Sequence, residues 1–592
     1  MTNLNTEQQR AVNTVYGPVL VLAGPGSGKT HTLTERIRHM IEEVRISPDE
    51  ILVITFSKKA AVEMQERFLR LTKGKCYKVY FGTFHAIFYS ILKNSSLIDK
   101  GKVLTQKDKL KNVKRAFYNL KLTQKDEASY LEIIENISAY KNSDEKKLFI
   151  SEKFDEDKGE LFVKIYNEYI RLCRKDNMID FDDMLYMCRD LLRSRAEIRK
   201  MYQGIYKYIL IDEFQDINLV QYEVLDMLSG KNNNIFAVGD DDQSIYGFRG
   251  AKPELMKKFM NKKGCEIIDL KNNYRSSKAV IESAHKLIKH NISRINKEQV
   301  PCKSNYEYGN VTVVTLGNAI KEAEFVCEKI KELINDGEIA SNIAVIFRTE
   351  RCIEVLKEKM NLNGILYTTN ISSDSFYESE WAKDIVAYLR AATNNRSVDV
   401  MGRIINKPER NLDRDDINSD MANSENYEKL LKELNRISNM SSFAAVNYIY
   451  KRIGYESYIY KRLSSKGYSN EKIKELLDQI LEKAKLYENI NDWLFFIDSV
   501  YEANNMDNLE SRVNLLTAHS SKGLEFNTVF IVGLQEGIFP HDKALTKENI
   551  EEERRLLYVA MTRAKTDLFV VGRGEYKYGK RISRFISELE EK

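Results

Sequence analysis

The chain has 592 residues, of which 43% are hydrophobic and 30% charged, and a net charge of +5. That length exceeds a single core and divides into about three to five domains; the composition is that of a soluble globular protein, and the mild positive charge permits an anionic partner without demanding one. No apolar run reaches the length of a membrane span, the N-terminus lacks the regions of a signal peptide, and the seven cysteines stand singly with no C-x-x-C pair, which disfavours metal ribbons, iron–sulfur clusters and disulfide frameworks and sets the expectation of a cytoplasmic protein with reduced thiols.

The first strong element is Val19–Leu22, an apolar strand, followed by Ala23-Gly24-Pro25-Gly26-Ser27-Gly28-Lys29-Thr30 and a helix in which Leu33, Ile37, Met40 and Ile41 recur with helical period. Strand, glycine-rich turn and helix form the context of a phosphate-binding loop, because glycines let several backbone N–H groups point at one phosphate in front of a helix N-terminus. Lys29 would reach the β- and γ-phosphates of a nucleotide and the Thr30 hydroxyl would ligate Mg²⁺; Ala23 replaces the usual first glycine. A second strand is expected at Ile51–Ile54 and a helix from Ala60, with Met64, Phe68 and Leu71 in register. This alternation, up to about Ser90, implies a parallel sheet.

From about Asp99 to Asn177 the pattern is helical and charged. Lys100, Lys102, Lys107, Lys109, Lys111, Lys114, Arg115, Lys121 and Lys125 form a basic run there, interrupted early only by Asp108; it either tracks phosphates or is a solvated helical face. Strands resume at Tyr208–Ile211, Ile235–Val238 and Ile267–Ile268, and a second set follows at Val311–Val314, Ile343–Phe347, Val513–Leu516, Val529–Val532 and Leu568–Val571. Between about Phe376 and Ser499 the chain is again helical, with Leu430, Leu434 and Ile437 marking one amphipathic helix and Ile473, Leu477, Ile480 and Ala484 another. The economical interpretation is an α/β protein with two parallel-sheet domains, each carrying a mostly helical insertion.

The strand ending at Ile211 runs into Asp212-Glu213-Phe214-Gln215-Asp216. Two acids at the C-terminal end of an apolar strand sit where α/β sheets place ligands. Asp212 is positioned to hold Mg²⁺, and Glu213 to orient and deprotonate an attacking water.

With these segments the chain resembles a UvrD/Rep-type superfamily 1 DNA helicase, and the resemblance runs almost end to end. Leu4-Asn5-Thr6-Glu7-Gln8-Gln9-Arg10 is similar to the family's glutamine motif, in which Gln8 would read the adenine edge with Arg10 in the same nucleotide site. Thr55-Phe56-Ser57-Lys58 and Gly82-Thr83-Phe84-His85 look like single-strand-contacting motifs, implying DNA contacts by Phe56, Lys58 and His85. In Gly239-Asp240-Asp241-Asp242-Gln243-Ser244-Ile245-Tyr246-Gly247-Phe248-Arg249, Gln243 would sense the γ-phosphate while Tyr246 and Phe248 face bases; many relatives have tryptophan where this chain has Phe248. Asn273-Tyr274-Arg275-Ser276 implies that Tyr274 stacks on adenine and that Arg275 reaches the γ-phosphate. Thr517-Ala518-His519-Ser520-Ser521-Lys522-Gly523-Leu524-Glu525 implies DNA contact by His519 and ribose contact by Glu525, and the segment Glu552 to Ala564 implies that Arg563 is a second arginine finger. Asp180-Phe181-Asp182-Asp183 also resembles a family segment and is assigned a structural role.

The resemblance implies two RecA-like P-loop domains: residues 1–98 and 178–275 as the first, with insertion 99–177, and residues 276–375 and 500–592 as the second, with a shortened insertion 376–499. It implies ATP and Mg²⁺ as cofactors, single-stranded DNA and single/double-strand junctions as partners, no membrane, and 3′→5′ movement in repair, replication or recombination. Two rivals stand beside it: a translocase that strips proteins from DNA but unwinds poorly, and a nucleic-acid-binding regulatory ATPase subunit. The chain departs from the family pattern after Arg403–Leu412, where Asn411-Leu412-Asp413-Arg414-Asp415-Asp416 replaces a Gly-Ile-Gly duplex-binding turn. That departure sets the expectation of weak unwinding by a lone monomer, relieved by a protein partner or self-association. The early close after Arg563 sets the expectation of no partner-binding extension and no fused nuclease domain.

Overall fold

The computed structural model describes residues 4–95, 102–123, 127–143, 146–302, 309–369, 379–393, 395–412, 425–465, 468–485, 487–503, 510–574 and 581–591. Lys100 and Lys125 of the basic run and Asp413–Asp416 lie outside them. The chain divides into two compact units, one of Met1–Val113, Ile134–Lys359 and Val513–Lys592, the other of Lys114–Ile133 and Met360–Arg512.

The first unit is built on two large parallel sheets. In the first, β1 (Val19–Ala23), β2 (Ile51–Thr55), β3 (Tyr80–Thr83), β4 (Tyr208–Ile211), β5 (Ile235–Gly239) and β6 (Glu266–Leu270) lie in the order β3-β2-β4-β5-β1-β6, all neighbours parallel. β1, β2 and β5 are buried along their whole length, as continuous apolar strands covered on both faces must be. Their alternation splits the side chains between two cores. Leu20, Leu52, Ile54, Ile209 and Ile211 pack with Phe84 and Phe88 of α4 (Phe84–Asn94). Val19, Val21, Val53 and Leu210 pack with Leu33 and Ile37 of α2 (Lys29–Glu42) and Met64 of α3 (Lys58–Leu71). α1 (Thr6–Asn13) is fastened to α2 by Arg36, whose buried guanidinium donates to the carbonyls of Ala11 and Val15 and lies 4.0 Å from the Phe236 ring centroid.

Strand β3 has no counterpart among the expected elements. It is an edge strand, half-exposed throughout, so it lacks the buried apolar run that marks the others. Next to the same core lies α5 (Phe181–Ser194), which brings Met184, Leu185 and Cys188.

The second sheet places β7 (Val311–Leu316), β8 (Ile343–Phe347), β9 (Val513–Thr517), β10 (Phe526–Leu534) and β11 (Ala564–Arg573) in the order β7-β11-β10-β8-β9, again parallel. Helices α6 (Lys278–Ile288) and α7 (Lys547–Met561) pack on it through Val280, Ala284, Leu287, Leu556, Leu557 and Met561. In the first sheet the C-terminal ends of β1 and β4, the ends at which α/β sheets bind ligands, lead into Gly24–Thr30 and Asp212–Asp216, whereas in the second Glu525 and Arg563 directly precede β10 and β11.

The segment expected to be helical after Asp99 contains Gln106–Asn119, Glu127–Asn142, Lys146–Lys153 and Glu156–Lys175. The second unit is helical, and its core includes Leu430, Leu434 and Ile437 from one expected amphipathic helix and Ile473, Leu477, Ile480 and Ala484 from the other. Within it Arg403–Leu412 folds on itself: Asn406 accepts from the Leu412 N–H at 3.1 Å, and Arg410 donates to the carbonyls of Ile404 and Ile405. No helix among the described residues is long and apolar enough to cross a membrane.

Candidate nucleotide and nucleic-acid site

A cleft of about 910 Å³ lies in the first unit, lined from the first sheet by Gly26, Ser27, Gly28, Lys29, Thr30, Asp212, Glu213 and Gln243 and from the second by Lys522, Glu525, Arg563 and Lys565, with Tyr274 and Arg275 between. Its floor is the loop after β1. Gly28 takes φ 82° as the N-cap of α2, a left-handed conformation that glycine adopts without strain. Gly26 is needed for a second reason: a Cβ there would come within 2.5 Å of Asn273 Oδ1. The Tyr274 N–H donates to the Gly26 carbonyl at 2.9 Å, so the glycine-rich loop and the Asn273–Arg275 segment are packed backbone to backbone. Ala23 and Gly24 are buried beneath the loop.

Lys29 Nζ is buried and has no hydrogen-bond partner among the described residues; Glu213 stands 3.8 Å away. A buried ammonium facing a glycine-rich loop fits a polyphosphate. Asp212 is also buried, accepts only from the Glu213 N–H at 3.1 Å, and forms no ion pair among the described residues. Burial, reinforced by the Glu213 charge, pushes its carboxyl well above the usual range. Such an acid, in a cleft that Thr30 also lines, fits a divalent cation.

Glu213 adopts φ 55°, ψ 47°, a left-handed conformation uncommon for a residue with a Cβ. Burial would raise its carboxyl, but the ammonium groups of Lys29 and Lys522 outweigh that and hold it below the ordinary glutamate value. Lys522 Nζ lies 3.6 Å from Glu213, pairs with Asp216 and donates to the Gln243 carbonyl at 2.9 Å. Gln215 is fully buried; its amide donates to Glu213 and its carbonyl oxygen accepts from the Asp240 N–H at 2.9 Å. The Gln243 amide donates to Asp240 at 2.6 Å.

On the opposite wall Arg275 donates to Glu525 at 2.9 Å, and Lys565 pairs with the other Glu525 oxygen at 2.9 Å. Arg563 is buried and donates to the carbonyls of Val559 at 2.8 Å and Leu524 at 3.2 Å. Burial, with the like charge of Arg275, lowers it to about 9. Tyr274 is 36% exposed at the cleft, its hydroxyl accepting from the Asn5 amide at 2.8 Å. Gln8 and Arg10 stand outside the cleft lining: Gln8 is buried, its amide donating to the Ser27 carbonyl at 3.1 Å, and Arg10 pairs with Glu266 at 2.8 Å.

One end of the cleft runs into an aromatic row. Phe56 and Tyr246 stack at 4.6 Å between centroids and 15° between planes. Phe248 follows at 6.0 Å from Tyr246, and His519 meets Phe248 edge-on at 5.6 Å. Arg249 lies 5.4 Å from both the Tyr246 and Phe248 centroids, and Lys522 lies 5.1 Å from that of Tyr246. The Gly247 N–H is held by Glu552 of α7 at 2.9 Å. Burial lowers His519 to about 4, with Arg348 adding in the same direction, so the ring is neutral. Lys58 is exposed at the start of α3. His85 meets Phe181 edge-on at 5.4 Å, and Phe181 is 46% exposed.

Sequence reasoning assigned no site role to Lys522, Gln215, Asp216, Arg249 or Phe181. All lie inside the motif segments of the chain, and at Lys522 the signal is a lysine flanked by serines and glycine. The basic run is partly explained by structure: Lys109 pairs with Asp180 at 2.6 Å, and Asp180 also takes Lys141 at 3.1 Å and the Tyr169 hydroxyl at 3.3 Å. Lys107, Lys111 and Lys121 remain exposed.

Residues 4–264 match the UvrD/REP helicase N-terminal domain, and residues 268–573 match the UvrD-like helicase C-terminal domain. The chain is 34% identical to the putative ATP-dependent DNA helicase YjcD of Bacillus subtilis (strain 168), over 96% of this chain and 78% of that protein. It is 32% identical to the ATP-dependent DNA helicase Rep of Buchnera aphidicola subsp. Schizaphis graminum, over 99% and 96%, and 30% identical to the ATP-dependent DNA helicase PcrA of Staphylococcus aureus, over 100% and 87%. These likenesses take in both sheets and both walls of the cleft, and the chain accordingly belongs to the UvrD/Rep family of ATP-dependent DNA helicases.

Proposed function

We propose that this helicase hydrolyses ATP in the cleft and spends each cycle moving 3′→5′ along single-stranded DNA, opening the duplex at single/double-strand junctions in DNA repair, replication or recombination. The observation that carries the coupling is the sharing of side chains. Tyr246 lines the cleft and stacks in the aromatic row, and Lys522 touches Glu213, Gln243 and the Tyr246 ring together. A change at the phosphate end therefore reaches the rings through two side chains.

In this reading the loop Ala23–Thr30 cradles the phosphates and Lys29 meets their charge. Phosphoryl transfer to water needs positioning and charge neutralisation more than covalent chemistry. Glu213 orients the water and accepts its proton, Gln243 contacts the γ-phosphate, and Arg275 and Arg563 supply positive charge from the opposite wall. Mg²⁺ would be held by Thr30 and Asp212 and would neutralise charge on the phosphate oxygens. Tyr274 stacks on the adenine, with Gln8 and Arg10 at its edge and Glu525 at the ribose. Phe56, Lys58, His85, Tyr246, Phe248 and His519 contact the single strand, and the exposed Phe181 extends the row. Residues 1–98 and 178–275 act as one ATPase lobe and residues 276–375 and 500–592 as the other, so that ATP draws them together; the insertions 99–177 and 376–499 act on the nucleic acid.

The test uses partial duplexes carrying a 3′ or a 5′ single-stranded tail, with wild type and Glu213→Gln. Displacement from the 3′-tailed substrate alone, dependent on ATP and lost in Glu213→Gln, supports the reading. Displacement from the 5′-tailed substrate reverses the polarity, and displacement by Glu213→Gln removes that residue from hydrolysis.

A further inference from the structure

Behind the cleft wall lies a buried charge cluster with no part in the roles above. Asp240, Asp241 and Asp242 place three carboxylates within 4.8 Å of one another, all buried. Like charges at that spacing inside a protein repel strongly unless cations are supplied. They come from the stretch after α6. Lys297 Nζ stands 2.7 Å from Asp240 and 2.9 Å from Asp242 and also bonds Asp241. Arg294 forks onto Asp242 at 2.7 and 3.1 Å, and the Ile295 N–H donates to Asp241 at 2.6 Å. The Lys297 side chain is 3% exposed, so an ammonium already fills the centre that a metal ion would need.

Asp240 is the node of this cluster. One carboxylate oxygen accepts from the Gln243 amide at 2.6 Å. Its backbone N–H donates to Gln215, whose amide reaches Glu213. Two residues beyond Lys297, Gln299 accepts from Asn273 at 3.3 Å, donates to the Tyr558 hydroxyl of α7 at 3.2 Å, and packs where a Cβ on Gly24 would fall. The stretch bearing Lys297 thus touches the phosphate loop, the acidic cluster and the second sheet's helix.

We propose that Lys297 is a positioning residue for ATP hydrolysis: by neutralising Asp240 it sets the place of the Gln243 amide at the cleft wall, and so governs the response to the γ-phosphate. This rests on the reading that Gln243 contacts that phosphate. Without the ammonium, Asp240 either takes up a proton or keeps an unbalanced buried charge; in both cases its bond to Gln243 changes.

The test is a double-mutant cycle of Gln243→Ala and Lys297→Met in the full chain. Affinities for ADP and for the β,γ-imido analogue of ATP are measured, together with kcat on single-stranded DNA. Lys297→Met should lower kcat by roughly 10- to 100-fold, below the ~10²–10³-fold cost of removing a transition-state donor outright. It should lose most of the preference for the ATP analogue over ADP while keeping ADP affinity within about twofold, and the double variant should be no worse than Gln243→Ala. Multiplying effects, or an equal loss of ADP affinity, would show that Lys297 merely supports the fold and would overturn the proposal. If Gln243→Ala itself leaves the preference intact, the γ-phosphate role of Gln243 falls, and the relay with it. Should Lys297→Met not fold, Lys297→Arg goes through the same cycle. It keeps the charge, but a planar fork cannot donate to three carboxylates from one point. It should show the same selective, non-additive loss, and wild-type discrimination would overturn the proposal.

Discussion

Phe248 and Phe56 belong to one aromatic row but should not contribute equally to DNA binding. Phe248 is 62% exposed, with His519 meeting it edge-on, Tyr246 tilted at 6.0 Å and Arg249 over the ring. A base stacking there displaces no aromatic face, so Phe248→Ala forfeits the full worth of a base–aromatic stack, about 1–3 kcal/mol, or roughly 5- to 150-fold in Kd. Phe56 already stacks on Tyr246 at 4.6 Å and 15°. A base entering between them must replace a ring pair worth about 0.5–1.5 kcal/mol, which leaves a net gain near 1 kcal/mol, or roughly fivefold. Fluorescence anisotropy of a labelled oligo-dT, at one fixed salt concentration, measures both variants. Phe248→Ala should bind more weakly than Phe56→Ala, and its melting temperature should stay close to wild type because the ring is exposed. Equal losses, or the reverse order, would refute the argument from ring occupancy. A drop in melting temperature for Phe248→Ala without a selective DNA defect would make the ring a packing residue.

At the hydrolysis site, Lys29→Ala should abolish turnover, Glu213→Gln should bind ATP yet hydrolyse it orders of magnitude more slowly, and Arg275→Ala and Arg563→Ala should each cost about 10³-fold or more in kcat; normal turnover in Arg563→Ala would remove it from the mechanism. His519, held at about 4 against an ordinary 6.5, is neutral when folded, so the unfolded chain binds the proton first and stability is lost as pH falls from about 6.5 toward 4. Urea titrations across that window should show a shallower loss in His519→Gln. DNA affinity should fall with salt by roughly 0.7 log units per contacted phosphate for each tenfold increase. Because an acidic stretch from Asp413 replaces the expected duplex-binding turn, single-turnover assays should show a monomer that translocates faster than it unwinds; a monomer that unwinds long duplexes as fast as it translocates would contradict that.

The parts of this molecule that sequence makes legible are those whose physics is local. Apolar runs such as Val19–Ala23 and Ile343–Phe347 are strands because a doubly covered parallel sheet accepts nothing else. The loop to Thr30 is legible because glycine spacing, lysine and helix start are contiguous. Strand β3 escaped because Tyr80–Thr83 is a short, half-exposed edge with a glycine inside it. The site's second layer escaped for another reason: its partners are remote in the chain. Lys522 pairs with Asp216, and Arg275 with Glu525, across some hundreds of residues. Lys297 sits in an unremarkable basic stretch, and only folding places it among three carboxylates. Gln8 and Arg10 likewise take partners that are remote in the chain, the Ser27 carbonyl and Glu266.

The coupling of the cleft to the aromatic row is tested most directly by ATP turnover of the full chain with and without single-stranded DNA. Tyr246 and Lys522 join the two, so DNA should raise kcat at least tenfold, on the order of 1.4 kcal/mol in the barrier, and Tyr246→Ala should lose that stimulation while keeping the basal rate. Turnover indifferent to DNA, or stimulation undiminished in Tyr246→Ala, would contradict the account.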